Sequence, residues 1–133
     1  LLRNSYIIVE ANKNISKPEI SNIKKMKEHH FNTIQAMDMG IIAIEIVERM
    51  NLKNKYPIYY RFLLDLDLDN TRLNSYKDSI MKDLSEGKID IFMVEPRNKK
   101  LRTYLKNNYD SLFICSGING YNPVIIYKSK KIN

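Results

Sequence analysis

Asp65, Asp67 and Asp69 alternate with Leu64, Leu66 and Leu68. In extended chain this spacing puts all three carboxylates on one face, about 7 Å from one to the next. Like charges so placed repel each other, and they need water, cationic partners or a divalent ion. Hard carboxylate oxygens can hold Mg2+, the chemistry of phosphoryl transfer or phosphodiester cleavage. On that reading Asp67 and Asp69 are the candidate catalytic pair, Asp65 completes a candidate metal set, and Asp90 is a further candidate acid. The competing reading is a solvated strand face that ends in a helix cap and uses no cofactor.

A second constellation is cationic. Residues 97–109 carry Arg97, Lys99, Lys100, Arg102 and Lys106 together with Tyr104 and Tyr109. Leu101 and Leu105 would anchor the segment as a helix, leaving the cations to meet phosphates while a tyrosine such as Tyr104 stacks on a base. The bland reading is a solvated helix face. Lys128, Lys130 and Lys131 either extend the patch or form a basic tail that frays over 128–133. His29 and His30 are adjacent, point in different directions on a helix and have no ligand cluster around them, so a helix-end role is expected. Cys115 follows the apolar run Leu112, Phe113 and Ile114 and reads as a core thiol. Gly117 and Gly120 lack the pattern of a phosphate-binding loop and read as turn residues.

The segment from Leu64 through Asp67, Asp69 and Thr71 resembles the first motif of haloacid dehalogenase-type phosphatases, which would assign Asp67 and Asp69. Only 62 residues follow Thr71 for the rest of such a core. The run Asp67-Leu68-Asp69-Asn70 is also similar to the metal-binding motif of RusA-type Holliday junction resolvases, with Asp90 as the third acid. That match covers four residues, and the glycine- and proline-rich segment expected before it is absent. Neither resemblance assigns a family.

The distribution of charge separates the two halves of the chain. Residues 1–95 hold 14 Lys/Arg and 14 Asp/Glu, whereas residues 96–133 hold eight Lys/Arg against Asp110 alone, so the whole net charge of +7 lies in the last 38 residues. A localised excess makes the directional field that attraction to phosphates requires. With 44% hydrophobic and 28% charged residues the composition is that of a folding chain, and 133 residues suit one domain. One cysteine permits no intrachain disulfide, which sets the expectation of an intracellular, reducing compartment. The apolar runs fall short of the roughly 20 residues that cross a bilayer, so no membrane partner is expected.

The elements that must position these residues follow from periodicity. A strand is predicted at 6–9. Ser16, Pro18 and Glu19 form a capping box that starts a helix continuing through Ile20, Ile23 and Met26. Residues 32–50 read as one buried helix, with a strand at 31–37 followed by a helix after Gly40 as the alternative. Alternation after Pro57 predicts a strand over 58–68. A helix over 72–86 stops at Gly87, and then come a strand at 89–95, a helix at 97–108, and strands at 112–116 and 124–128 joined as a hairpin. Strand and helix alternate, which favours parallel pairing, and would gather Glu95, Arg97, Ser116 and Gly117 with Asp67 and Asp69 at one edge of the sheet.

The resulting expectation is an α/β (or α+β) fold: a single-domain mixed sheet of about five strands with about four helices. The expected function is nucleic-acid binding, RNA ahead of DNA, as a subunit of a larger ribonucleoprotein or alone. Arg97, Lys99, Lys100, Arg102, Tyr104 and Lys106 are the contacts. A magnesium-dependent nuclease or phosphotransferase and a protein-interaction module with a basic surface are the alternatives.

Overall fold

Ile91, Phe92, Met93 and Val94 present no polar side chain, and a strand of that kind is stable only when both of its faces are covered. The computed structural model, which describes residues 14–36, 41–57, 71–118, 120 and 123–132, covers both. Its elements are helix α1 (Lys17–Lys27), strand β1 (Ile34–Ala36), helices α2 (Ile41–Met50) and α3 (Thr71–Glu86), strand β2 (Ile91–Val94), helix α4 (Lys99–Leu105) and strands β3 (Tyr109–Cys115) and β4 (Val124–Ser129). The sheet order is β1-β2-β4-β3. β1 runs parallel to β2, while β4 is antiparallel to both β2 and β3. The mixed α/β architecture is thus the expected one, with four strands among the described residues; the strands expected at 6–9 and 58–68, and Asp65, Asp67 and Asp69 with them, lie outside those residues.

Alternation along the two central strands divides the interior. Ile91 and Met93 of β2 join Val124 and Ile126 of β4 in a cluster closed by Ile23 and Met26 of α1 and Ile42 and Ile46 of α2. Phe92 and Val94 join Ile125 and Tyr127 in a second cluster, closed by Ile80 and Leu84 of α3 and Leu101 and Leu105 of α4. The helices therefore lie in pairs on opposite faces of the sheet, α1 with α2 and α3 with α4.

Local signals in the sequence account for the helix ends. Ser16 caps α1: its Oγ accepts Glu19 N–H at 3.4 Å and its N–H donates to Glu19 Oε1 at 3.0 Å, the reciprocal pair of the expected capping box. Gly87, at φ +66°, ends α3. Gly87 N–H donates to the Leu84 carbonyl at 3.3 Å and Lys88 N–H to the Asp83 carbonyl at 2.8 Å, the paired closure that a left-handed residue after a helix makes possible. A Cβ at residue 87 would lie 3.0 Å from Ser129 Oγ, whose hydroxyl donates to the Gly87 carbonyl at 2.6 Å.

One expectation is corrected. Residues 32–50 do not form a single helix; the alternative of a strand followed by a helix after Gly40 holds, with β1 at Ile34–Ala36 and α2 beginning at Ile41. The apolar spacing fitted both forms, and contacts remote in sequence decide between them. Asp90 Oδ2 accepts the N–H groups of Asn32 and Thr33 at 2.7 and 3.3 Å, and Asp90 N–H donates to Thr33 Oγ1 at 2.9 Å. The backbone before β1 is thereby held extended, and Ile34 registers opposite Ile91. Boundaries also move by a few residues, two of them with a visible cause. Helix α4 starts at Lys99 rather than 97 because Asn98 supplies the cap, and β3 starts at Tyr109 rather than 112 because Tyr109 pairs with Ser129.

Asp90 is thus the clamp that sets the entry to β1. Asp90→Ala is expected to lower the unfolding free energy by roughly 1–3 kcal/mol, the range for hydrogen bonds to a charged group. An unchanged urea midpoint at unchanged slope would contradict that role.

Candidate nucleic-acid interface

Helix α4 is short, and its cations are sorted by its packing. Asn98 Oδ1 accepts Leu101 N–H at 3.1 Å, and Leu101 and Leu105 are buried against α3 and the sheet. Lys99, Arg102, Thr103 and Lys106 then fall at steps of three, one and three residues, a single stripe on the helix surface. That stripe forms one wall of a groove of about 560 Å³ whose other residues are Tyr109, Asp110 and Ser111 of β3 and Tyr127 and Lys130 from β4 and the turn after it. Four cations therefore surround one groove.

The groove is held in place by its own bonds. Arg102 Nη1 donates to the Pro96 carbonyl at 2.9 Å, which fixes the start of the guanidinium's reach. Lys130 Nζ lies 3.5 Å from the Lys106 carbonyl and 4.0 Å from Asp110 Oδ1. Residues 129–132 are tied to the fold by Lys130 N–H to the Asn108 carbonyl at 2.9 Å and Ile132 N–H to the Ser129 carbonyl at 3.2 Å. At the floor, Tyr109 is buried; its hydroxyl donates to the Ile89 carbonyl at 2.7 Å and accepts Ile89 N–H at 3.2 Å. Tyr127 is buried as well, so neither ring offers a face to a base. Burial also pushes the Tyr109 hydroxyl well above its ordinary value.

The six residues singled out from sequence do not act as one patch. Lys99, Arg102 and Lys106 come together. Lys100 and Tyr104 share a different stripe, and Tyr104 donates its hydroxyl to the Met81 carbonyl of α3 at 3.1 Å while its ring stays 40% exposed. Arg97 precedes the helix and reaches Glu95 at 3.6 Å. The sequence reading did not single out Thr103, on the helix itself, or Asp110 and Ser111, which only the β3–β4 hairpin brings beside the helix. Lys128 faces a second groove, with α1, and its amino group donates to the Ile132 carbonyl.

The parallel pairing expected of the second-half strands is not found, since β2 and β3 each lie antiparallel to β4 between them, but the C-terminal ends of β2 and β3 still fall at one end of the sheet. Val94 pairs with Ile125 and Cys115 with Val124, so Glu95 and the Ser116–Gly117 turn flank the same edge. The amides there are already engaged: Glu19 Oε2 accepts Ser116 N–H at 2.7 Å and Gly117 N–H at 3.2 Å. Burial by itself would raise the Glu19 carboxyl, but the bonds from Ser16, Cys115 and Gly117 outweigh it and hold the group down to about 2. Burial, reinforced by that adjacent carboxylate, pushes the Cys115 thiol up to about 12, leaving it protonated and inert as a nucleophile.

Asp90 lies at the other end of β2 with its carboxylate on backbone amides, and Asp65, Asp67 and Asp69 lie outside the described residues. Among the described residues no group of three or more His, Cys, Asp or Glu could hold a metal ion, and no helix is long and apolar enough to cross a membrane. His29 and His30 are exposed just after α1, with the His29 ring 5.7 Å from that of Phe31. The chain matches no family model, no curated protein and no solved structure.

Glu19 gives the fold a signature in acid. Its folded value lies below its unfolded one, so its contribution is complete above about pH 4.5 and fades as the pH falls towards 2. Glu19→Ala should therefore cost roughly 1–3 kcal/mol at pH 7 and much less at pH 2.5. Denaturation of both proteins across pH 2–7 measures the difference, and a constant gap would reject the assignment.

Proposed function

We propose that the chain binds nucleic acid, RNA in preference to DNA, by seating backbone phosphates in the groove between α4 and the β3–β4 hairpin. The observation that carries this reading is the convergence of Lys99, Arg102, Lys106 and Lys130 on one groove from two elements distant in sequence. A string of phosphates is the ligand that matches several cations along a concave surface, and release of its counterions is the driving term. Arg102 contributes a planar fork, and the lysines contribute mobile point charges.

The preference for RNA rests on the polar groups between the cations. Asp110 and Ser111 present oxygen acceptors on β3, and Thr103 presents one on α4. A ribose 2′-hydroxyl can donate to such groups, and deoxyribose cannot. Because the tyrosines of the floor are buried, binding here is to the sugar-phosphate backbone rather than by stacking of bases.

Four phosphate contacts on a single strand correspond to a slope of log affinity against log salt of about −3, from roughly −0.7 per phosphate. Joint replacement of Lys99, Arg102 and Lys106 by Gln should bring the slope to about −1 and weaken binding of a mixed-sequence RNA twelve-mer at least about tenfold at low salt. Lys100→Gln, on another stripe, should change either quantity little. Fluorescence anisotropy over a salt series reads both, with the deoxy twelve-mer as competitor. Unchanged binding by the triple variant would reject the groove, and equal affinity for the deoxy strand would reject the preference.

A further inference from the structure

The geometry points to strand β3 as a docking edge for an acidic, extended polypeptide segment that adds to the sheet. The two margins of the sheet differ. Along β1, residues 54–56 close the outer side: Lys55 N–H donates to the Ile34 carbonyl at 2.9 Å, Ala36 N–H to Asn54 Oδ1 at 2.8 Å and Tyr56 N–H to Gln35 Oε1 at 2.8 Å. Along β3, among the described residues, only β4 is paired, and the other side of the strand is the margin of the sheet. An edge strand offers a row of backbone donors and acceptors to another chain.

Apolar exposure is concentrated at the same place. Of the large hydrophobic side chains exposed among the described residues, Leu112 at 40% and Ile114 at 55% belong to β3, and Ile118 at 63% to the turn beyond it. On the α1 side of the strand a groove of about 340 Å³ has Met26, Phe31, Leu112 and Phe113 as its apolar lining and Lys25 and Lys128 among its polar residues. On the α4 side stand Lys106 and Lys130. Cations thus flank the edge on both faces, and Asp110 is the one carboxylate in the strand.

That charge selects the occupant. A second copy of the chain would bring the same cationic margin and be repelled by it, whereas a segment alternating apolar and acidic residues would satisfy both the exposed side chains and the flanking charge. Backbone bonds of the added strand supply affinity, and the residues on either face supply selectivity. The register shift between Ser111 and Phe113 bends the edge, so pairing is confined to a short stretch around Leu112 and Ile114.

The test uses the whole chain, 15N-labelled, with a ten-residue, acetylated and amidated peptide alternating valine and glutamate. Amide hydrogen exchange of residues 110–114 should slow at least tenfold for the N–H groups not bonded to β4. The valine–lysine counterpart should leave exchange unchanged. Ile114→Glu and Leu112→Glu, both at exposed positions, should each weaken the valine–glutamate peptide about tenfold without altering the fold. Three results would overturn the proposal: peptide binding with no slowing in 110–114, equal slowing by the lysine peptide, or protection of those amides by self-association of the chain alone.

Discussion

The structure depends on burying β2 from both sides. All four of its side chains are buried, and its neighbour β4 contributes Val124, Ile125, Ile126 and Tyr127 to the same interior. Apolar burial is worth roughly 25 cal/mol per Å², so a strand without a polar face gains most when helices close both of its surfaces. This requirement places α1 and α2 on one side and α3 and α4 on the other. It also fixes the rotation of α4: once Leu101 and Leu105 face inward, the stripe of Lys99, Arg102 and Lys106 has to face outward beside the hairpin. The cationic groove is a consequence of how the core is filled.

Where the sheet ends, polar side chains do the work of missing strands. Asn54 and Gln35 use their amides as backbone substitutes along β1: Asn54 Nδ2 donates to the Ala36 carbonyl at 3.4 Å and Gln35 Nε2 to the Tyr56 carbonyl at 3.2 Å. The same segment is then tied to α3, because Asp83 Oδ2 accepts from both Lys55 Nζ and the Tyr56 hydroxyl at 2.7 Å. Burial alone would raise the Asp83 carboxyl, and these two bonds instead hold it below the ordinary range. Burial together with that bond to Asp83 pushes the Tyr56 hydroxyl up to about 12. Buried polar groups are tolerable when each is paired, and here they serve as ties between elements rather than as reactive groups.

The parts of this fold legible in the sequence were those written in local chemistry. The capping box at Ser16 and Glu19, the stop at Gly87, the apolar run of β2 and the hairpin of the last two strands all rest on residues near one another in the chain. The break between β1 and α2 was legible only as an alternative, a strand at 31–37 with a helix after Gly40, since Ile34, Met37 and Ile41 fit a helical stripe as well as they fit a strand and a new helix. It is Asp90, 57 residues beyond Thr33, that decides it. The cationic stretch was legible as composition but not as geometry. A list of cations from 97 to 106 cannot say which share a stripe with Lys130; that depends on the turn from α4 into β3 and on Tyr109 pairing with Ser129.

The same turn explains why charge and structure divide the chain at nearly the same point. Up to residue 95 acids and bases balance, and four of the described acids have structural partners: Glu19 on the Ser116–Gly117 amides, Glu45 on Asn14 N–H and Arg49, Asp83 on Lys55, Asp90 on Asn32 and Thr33. Carboxylates used in this way stabilise the scaffold and are withdrawn from recognition. Beyond residue 95 only Asp110 opposes eight cations, and the helix and hairpin that carry them are anchored by Leu101, Leu105, Tyr109 and Tyr127 rather than by ion pairs. Because apolar contacts carry most of the anchoring, the excess of positive charge over carboxylates in this part of the chain keeps its field directed outward.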